Sequence, residues 1–309
     1  MAALAAVMLA HDRPEHVHRL VRALDGVDVF VHCDSRTAPE VFAAITTGLP
    51  DVVAVTPRHR TARSSWGMVE GELAGLRLAL ERSRAEHIIV CSGSCYPLVT
   101  VADLEDELSV WRGLTRIERT PLPYRGWSSR TRRHPDGGFW RLNQRFLTRG
   151  ERIVLAPGGH PIPLYRRRIP SAIKAHASSQ WKIYARKHAE TLLRVLDERP
   201  ELVRYWRTTF NSDESCVASI LSSPELVGAV ADELQHDRAW YIDWRGKEVG
   251  GHPRWLDVED FPRLEEHRNL APLRPGDSYE QGDRSRKLFA RKFGTDDEVL
   301  DLIDAKLRV

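Results

Sequence analysis

Two places in this 309-residue sequence combine residue types that could carry out acid–base and phosphate chemistry. Glu214 closes the run Asn211-Ser212-Asp213-Glu214 just before an apolar helical pattern, so its carboxylate has a fixed direction and could accept a proton from an attacking hydroxyl. Arg291 and Lys292 are adjacent cations between two phenylalanines, and such a pair could neutralise a diphosphate leaving group. Each place also has a simpler local explanation: a carboxylate that complements a helix dipole, and a basic surface patch before a helix.

Asp34 is a third candidate because it comes just after an apolar, β-branched run over residues 27–32. An acidic side chain at the carboxyl end of a strand could hydrogen-bond a nucleoside, or bind a metal together with a second carboxylate such as Asp257 or Asp260. Position 32 is His, so the sequence has no Asp-x-Asp pair here, the usual metal-binding pair of nucleotide-sugar transferases. An ordinary turn aspartate is the alternative interpretation.

Trp66 and Trp181 could offer aromatic faces to a sugar ring or a base, although a tryptophan buried in the core is the commoner situation. Several other kinds of site are not supported by the sequence. It has no Gly-x-Gly-x-x-Gly run after the first strand, no phosphate-loop lysine motif and no Gly-x-Ser-x-Gly motif of hydrolases. Its histidines and four cysteines lack metal-ligand spacing, so we expect no metal site and reduced cysteines.

The elements that must position these residues alternate between strand and helix in the first 118 residues. Apolar runs predict strands over 3–10, 27–32, 52–55 and 87–91, and helical spacing predicts helices over 14–24, 39–45, 69–80 and 101–110. This alternation predicts an α/β fold with a mostly parallel sheet covered on both faces. Ligands of such sheets bind beyond the carboxyl ends of the strands, which here are His32-Cys33-Asp34 and the turn Ser92-Gly93-Ser94.

Residues 119–150 differ in composition from the rest of the chain. They form an Arg-rich insertion with aromatic residues at 127, 139 and 140, and either a solvated loop or a lid that faces substrate fits this pattern. The eight arginines are Arg119, Arg125, Arg130, Arg132, Arg133, Arg141, Arg145 and Arg149. After the insertion we predict strands over 178–184 and 240–244, helices over 186–196, 212–221, 261–269 and 296–307, and a loop over 275–284.

The composition is that of an ordinary soluble protein, with a formal net charge of only +3. Charge therefore gives no reason to predict a nucleic-acid partner. The apolar stretch over residues 2–10 is too short for a membrane span and lacks the basic flank of a signal peptide, so we interpret it as a buried first strand and expect a cytoplasmic protein. The two halves are predicted to share one sheet in a single domain, 1–309.

A series of short motifs in a fixed order resembles one protein family. The motifs are Leu9-Ala10-His11, Val29-Phe30-Val31-His32-Cys33-Asp34, Ser65-Trp66-Gly67, Ser92-Gly93-Ser94-Cys95-Tyr96-Pro97-Leu98, Ser179-Gln180-Trp181, Ser212-Asp213-Glu214-Ser215 and Leu288-Phe289-Ala290-Arg291-Lys292-Phe293. In this order they look like the core-2/I-branching N-acetylglucosaminyltransferase and peptide O-xylosyltransferase family, glycosyltransferase family 14. The resemblance spans nearly the whole chain.

The resemblance implies a GT-A-like, Rossmann-related fold with a mostly parallel central sheet flanked by helices. It also implies transfer from a UDP-sugar with inversion at the anomeric carbon and without a metal or other cofactor. Glu214 would be the general base, and Lys292 with Arg291 would neutralise the diphosphate. The donor would be held by His11, Asp34, Trp66, Ser92, Gly93, Cys95, Arg254, Arg291 and Lys292, and a sugar or acceptor would stack on Trp181 and Tyr96.

By the same resemblance, residues 1–118 are the nucleotide-sugar-binding half and 151–309 the acceptor and catalytic half. One residue departs from the family pattern: Cys95 stands where the family usually has Asp. A thiol is a poor hydrogen-bond acceptor for sugar hydroxyls, so Cys95 is predicted to face the donor-sugar pocket and alter the choice of donor.

We therefore expect a soluble bacterial glycosyltransferase that acts on a glycan or small-molecule acceptor. Two alternatives are open: a metal-dependent transferase that uses Asp34, and a non-catalytic nucleotide- or glycan-binding protein of the same fold. The sequence fixes neither the donor sugar and the acceptor, nor the linkage and the oligomeric state.

Overall fold

A computed structural model describes residues 4–49, 52–125, 136–245, 252–294 and 296–309. Three arginines of the predicted insertion, 130, 132 and 133, and the tryptophan at 127 lie outside these ranges. The strands are β1 (Leu4–Ala10), β2 (Asp28–Cys33), β3 (Val52–Ala54), β4 (His87–Ser92), β5 (Cys95–Pro97), β6 (Thr115–Ile117), β7 (Thr120–Pro121), β8 (Gln144–Phe146), β9 (Thr148–Arg149), β10 (Arg152–Ile153), β11 (Pro163–Arg166), β12 (His176–Ala177), β13 (Lys182–Ala185), β14 (Leu234–His236), β15 (Trp240–Ile242) and β16 (Phe289–Arg291).

Helices alternate with these strands in the first half of the chain and are interspersed among them in the second. The helices are α1 (Pro14–Ala23), α2 (Pro39–Thr46), α3 (Trp66–Arg82), α4 (Val101–Ser109), α5 (Arg186–Glu198), α6 (Pro200–Trp206), α7 (Cys216–Leu221), α8 (Pro224–Val227), α9 (Phe261–Arg268), α10 (Tyr279–Arg284) and α11 (Glu298–Lys306). None of them, within the described ranges, has the length and apolar character needed to cross a membrane.

A seven-stranded sheet in the order β14-β6-β13-β4-β1-β2-β3 forms the centre of the fold. Every residue of β1 is buried, and β1 pairs in parallel with β2 and β4 on either side. β13 comes from the second half of the sequence, lies between β4 and β6, and runs antiparallel to both. The prediction of an α/β fold with a mostly parallel central sheet is confirmed by this topology.

Most predicted elements of the first half end within about three residues of their observed bounds, and three predictions in the second half need correction. The strand predicted over 178–184 begins only at Lys182 and ends at Ala185. The predicted helix over 212–221 is interrupted: Ser212–Glu214 forms a 3-10 turn, Ser215 has φ −143°, and α7 begins only at Cys216. The predicted loop over 275–284 contains α10, which begins with a capping box between Ser278 and Gln281.

A buried ionic cluster connects α3 to the central sheet. The Nζ of Lys182 on β13 lies 2.9 and 3.0 Å from the two carboxylate oxygens of Glu72, and the hydroxyl of Tyr184 donates to the same carboxylate at 2.6 Å. Glu72 and Lys182 are each 1% exposed. Burial, reinforced by the charge of Glu72, raises the pKa of Tyr184 well above its usual value. The cluster fixes the position of β13 relative to α3.

Replacing Lys182 with Met is expected to lower the free energy of unfolding by about 3–5 kcal/mol, because Glu72 keeps a buried charge without its cation. The matched control is Arg77→Met, also in an ion pair of α3, since Arg77 and Asp197 are about half exposed and such pairs contribute about 0–1 kcal/mol. Urea unfolding measures both values. Equal losses in the two variants would contradict a structural role for the buried pair.

Candidate functional site

Glu214 lies in the 3-10 turn before α7, and its carboxylate is held from one side. Asn211, which adopts a left-handed conformation with φ 53°, donates from Nδ2 to Oε2 of Glu214 at 2.8 Å, and Arg141 donates from Nη1 to the same oxygen at 3.4 Å. Oε1 has no hydrogen-bond partner among the residues that the structure describes. The side chain is 42% exposed, so an oriented carboxylate oxygen is accessible to a ligand.

Asp213 sits next to Glu214 but points into the protein. It is 8% exposed, and its Oδ1 is buried with no hydrogen-bond partner within the described ranges. Burial, together with the adjacent charge of Glu214, raises the pKa of Asp213 to about 7, while the cations of Lys182 and Arg141 lower it. Glu214 is therefore the exposed carboxylate of the two, and Asp213 is its buried neighbour.

Arg291 and Lys292 each contact a tryptophan ring. The guanidinium of Arg291 lies 4.5 Å from the ring centroid of Trp181, and the Nζ of Lys292 lies 4.0 Å from that of Trp255. β16 ends at Arg291, and the peptide bond from Arg291 to Lys292 is cis. Lys292 is 8% exposed. The two cations therefore rest on aromatic faces at the end of an internal strand.

Among the residues described, Arg291 is partly buried but lacks the carboxylate partner that such a cation usually has. Its Nε is buried without a hydrogen bond, and no carboxylate of the described residues lies within 4.0 Å of it. Burial lowers the pKa of Arg291, and the charge of Glu214 is one of those that oppose this effect. The guanidinium thus combines partial burial, a charge interaction with Glu214 and a buried Nε donor without an acceptor in the described chain.

The turn after β4 brings Ser92, Gly93 and Cys95 to this edge of the sheet. The amide of Gly93 donates to the carbonyl of Leu9 at 2.8 Å, and a Cβ at position 93 would lie only 3.1 Å from the side chains of Ala10 and Val17. Only glycine fits this close approach without displacing α1 or β1. The turn is thereby held directly against the end of β1.

Cys95 is completely buried in this structure. Its Sγ lies 3.4 Å from the amide and 3.3 Å from the Oγ of Ser92, and Ser92 also contacts the Oγ of Ser94 at 3.0 Å. In β5, Cys95 pairs directly with Arg291 of β16. Position 95 is therefore a neighbour of the cationic strand, and its effect on donor choice stays a prediction.

Both carboxylate oxygens of Asp34 already accept hydrogen bonds. Arg36 pairs with it at 2.7 Å, and the hydroxyl and amide of Thr61 donate to it at 2.8 and 3.0 Å. Although burial opposes the charged form, these hydrogen bonds hold the pKa of Asp34 well below its usual value. Among the residues described, no group of three or more His, Cys, Asp or Glu side chains has the arrangement of a metal site.

Arg254, the predicted additional phosphate ligand, is enclosed by carboxylates. Its guanidinium lies 2.6 Å from Asp260, 3.0 Å from Asp257 and 3.5 Å from Asp243. The two acids named with Asp34 as possible metal ligands, Asp257 and Asp260, are thus both bound to Arg254. Arg254 is 26% exposed and precedes Trp255, so its ion pairs fix the ring on which Lys292 rests.

The remaining predicted residues occupy three different environments. His11 is 71% exposed beside Asp12, whereas Trp66 is 1% exposed and its indole donates to Glu70. Tyr96 is 1% exposed, its ring meets Phe293 edge to face, and its hydroxyl donates to a carboxylate of α11 at 2.9 Å. Trp66 and Tyr96 are core residues here, while Trp181 is 7% exposed and supports Arg291.

Sequence reasoning did not assign Arg141 to the site. It belongs to the Arg-rich insertion and lies in the 3-10 turn Phe139–Arg141, where it is 9% exposed and donates to Glu214. Burial lowers the pKa of Arg141, and the charges of Glu214 and Asp213 oppose this effect. The only local signal for its burial is the pair of aromatic residues that precede it.

Comparison with known proteins gives a family match over most of the chain. The family model described as core-2/I-branching enzyme matches residues 5–266. A curated relative, the beta-glucuronosyltransferase GlcAT14B of Arabidopsis thaliana, is 26% identical over 231 residues, which are 70% of this chain and 42% of that protein. The chain therefore spans less than half the length of this relative.

Solved structures resemble the chain only distantly. A 2-C-methyl-D-erythritol 4-phosphate cytidylyltransferase from Thermus thermophilus aligns with a TM-score of 0.30 and 11% identity, over 65% of this chain and 77% of that one. A putative glucose-1-phosphate thymidylyltransferase from Bacillus anthracis aligns with a TM-score of 0.31 and 8% identity, over 61% and 74%.

The family match includes the residues around Glu214 and confirms the resemblance that the ordered motifs indicated. The chain belongs to the core-2/I-branching enzyme family.

Proposed function

We propose that the protein is a glycosyltransferase that moves a sugar from a UDP-sugar to an acceptor hydroxyl with inversion and without a metal ion. Glu214 is the general base, and Arg291 with Lys292 neutralises the diphosphate leaving group. The observation that carries the proposal is the partly buried Arg291 guanidinium, whose Nε is buried with no acceptor in the described chain and whose charge interacts with that of Glu214. A partly buried cation without a carboxylate partner can bind an anionic ligand.

The chemistry is a single in-line displacement at the anomeric carbon. The acceptor oxygen attacks C1 of the donor sugar as its proton passes to Oε1 of Glu214, and the bond from C1 to the diphosphate oxygen breaks with its electron pair. The nucleoside diphosphate leaves with the added negative charge. Arg291 and Lys292 stabilise that charge as it develops, and their aromatic supports keep them in place beforehand.

Asn211 and Arg141 give Glu214 its orientation in this mechanism. Both donate to Oε2, so the carboxylate cannot rotate freely and Oε1 faces the acceptor. A carboxylate is a weak base toward a hydroxyl, and correct placement of the acceptor must supply much of the rate enhancement. Arg141 therefore assists the reaction by positioning the base.

Two observations weigh against the alternative in which Asp34 binds a metal. Its carboxylate oxygens are occupied by Arg36 and Thr61, and the acids proposed to complete the site, Asp257 and Asp260, bind Arg254. A metal would have to displace these ion pairs. The binding-protein alternative predicts that UDP stabilises the chain while no donor is turned over. Release of UDP from a donor therefore separates it from our proposal, and the effect of EDTA separates the metal-dependent alternative.

Glu214→Gln is expected to lower kcat by about 10²–10⁴-fold, because the amide cannot accept the acceptor's proton. The matched control is Glu225→Gln, an exposed glutamate in the first turn of α8, which should leave kcat unchanged. Release of UDP in the presence of acceptor measures the rates. Full activity of Glu214→Gln would remove Glu214 from the role of base.

Lys292→Met is expected to lower kcat/KM by roughly 10²-fold, and EDTA should leave the activity of the unmodified enzyme unchanged, because the protein's own cations stabilise the leaving group. Lys306→Met is the control, since Lys306 also lies over an aromatic ring, 5.7 Å from Phe261, but is exposed. Activity that disappears with EDTA and returns with manganese would instead support the metal-dependent alternative.

Donor choice is expected to depend on position 95. Cys95→Asp places a carboxylate beside Arg291, its partner across the β5–β16 ladder, and should change the relative rates with UDP-N-acetylglucosamine, UDP-xylose and UDP-glucuronic acid. The last donor is included because the plant relative is named a glucuronosyltransferase. Cys33→Ala is the control for a buried cysteine elsewhere. Unchanged ratios in both Cys95→Asp and Cys95→Ala would refute this role.

A further inference from the structure

Residues 144–168 form a small β structure that we call the basic projection. β8 pairs with β11, β9 pairs with β10, and the amide of Leu147 donates to the carbonyl of Ile162 at 2.9 Å, so the segment folds back on itself. Two of its side chains attach it to the body of the protein: Phe146 and Ile153 are 1% and 3% exposed. Phe146 packs against Trp140 and Phe210 in an aromatic cluster.

The outer part of the basic projection exposes large apolar side chains. Leu147, Leu155, Leu164 and Tyr165 are 36–55% exposed, and they make up four of the nine large hydrophobic residues exposed in the described ranges. All residues of β11 are exposed, and its pairing with β8 is irregular between Pro163 and Tyr165, so the side chains of Leu164 and Tyr165 are both open to solvent. Apolar side chains grouped in one short segment indicate a surface that is covered by a partner.

The charge of the basic projection is strongly positive. It contains six arginines and a single acidic residue, Glu151, which lies 3.7 Å from His59 at the edge toward the body. The arginines are Arg145, Arg149, Arg152, Arg166, Arg167 and Arg168. Of these, Arg145, Arg149, Arg166 and Arg168 are exposed, and none of the four has a carboxylate within 4.0 Å in the part of the chain that is described. The net charge of +3 for the whole chain shows that this concentration is local.

We propose that the basic projection docks on an anionic lipid surface. Leu155, Leu164 and Tyr165 would enter the headgroup region, where an amphipathic tyrosine ring and leucine side chains are stabilised, and the surrounding arginines would pair with lipid phosphates. A soluble polyanion would use the arginines but would gain nothing from the exposed leucines, and an apolar protein surface would gain nothing from the arginines. The combination of both chemistries in one segment selects a membrane surface.

Docking at this place would bring the candidate base close to the lipid surface. Arg141 donates to Glu214 and stands three residues before the basic projection, and Arg167 at the other end donates to the hydroxyls of Thr208 and Thr209 at 2.7 and 2.6 Å. Acceptors presented at a membrane would therefore meet the site directly. The lipid proposal itself rests on the projection and does not require Glu214 to be the base.

Co-sedimentation of the full chain with vesicles tests the proposal. We expect binding to phosphatidylcholine vesicles that contain phosphatidylglycerol, weaker binding as salt is raised, and no binding to phosphatidylcholine alone. Arg166→Ser should weaken partitioning about fivefold. Leu164→Ser combined with Tyr165→Ser should weaken it about tenfold or more, because two apolar side chains no longer insert.

Matched controls lie far from the basic projection along the chain: Val110→Ser for an exposed apolar residue and Arg82→Ser for an exposed arginine, both expected to bind like the unmodified chain. Thermal unfolding of each variant shows whether it is folded. The proposal is overturned if anionic vesicles are not bound, or if the controls lose binding equally. It is also overturned if polyglutamate binds as tightly as vesicles and the Leu164/Tyr165 variant binds both as before, which would identify a soluble polyanion as the partner.

Discussion

The pairing of β16 with β5 is the interaction on which the candidate site depends. It joins segments nearly 200 residues apart, with Phe289, Ala290 and Arg291 opposite Pro97, Tyr96 and Cys95. Backbone donors and acceptors in a buried ladder must be satisfied, so this register is strongly fixed. It places Arg291 at the carboxyl end of β4, where ligands of parallel sheets bind, and it carries Lys292 to Trp255. A one-residue slip would turn Arg291 away from Trp181.

The cations of this protein differ in how their charge is compensated. Lys182 and Glu72 neutralise each other in the interior, and Arg254 is surrounded by three acids. Arg291, in contrast, is partly buried, and its Nε has no acceptor in the described chain. Desolvating a cation without an opposite charge is costly, and a bound anion would offset that cost. This contrast is the structural basis on which we propose a ligand-binding role for Arg291.

The sequence was sufficient to predict the elements whose formation depends on neighbouring residues along the chain. β1, β2 and β4 are continuous apolar runs and were predicted closely, whereas β6 and β14 have only three residues and exist through pairing with distant strands. The capping box at Ser278 was a readable signal for α10 that the loop-like composition concealed. At the candidate site, the ordered motifs indicated Glu214 and Lys292, whose roles stay predictions. The contacts of Arg141 with Glu214 and of the acids with Arg254 could not be predicted, because these partners are brought together only by the fold.

The ion pairs of Arg254 have a consequence for how this part of the molecule can change. Asp243 lies before residues 246–251 and Arg254 after them, and the Arg254 amide also donates to the Asp243 carbonyl at 3.2 Å. Trp255 follows Arg254 directly, so the position of its ring depends on these contacts between Asp243 and Arg254. A change at Asp243 would therefore disturb the support of Lys292 without altering Lys292 itself.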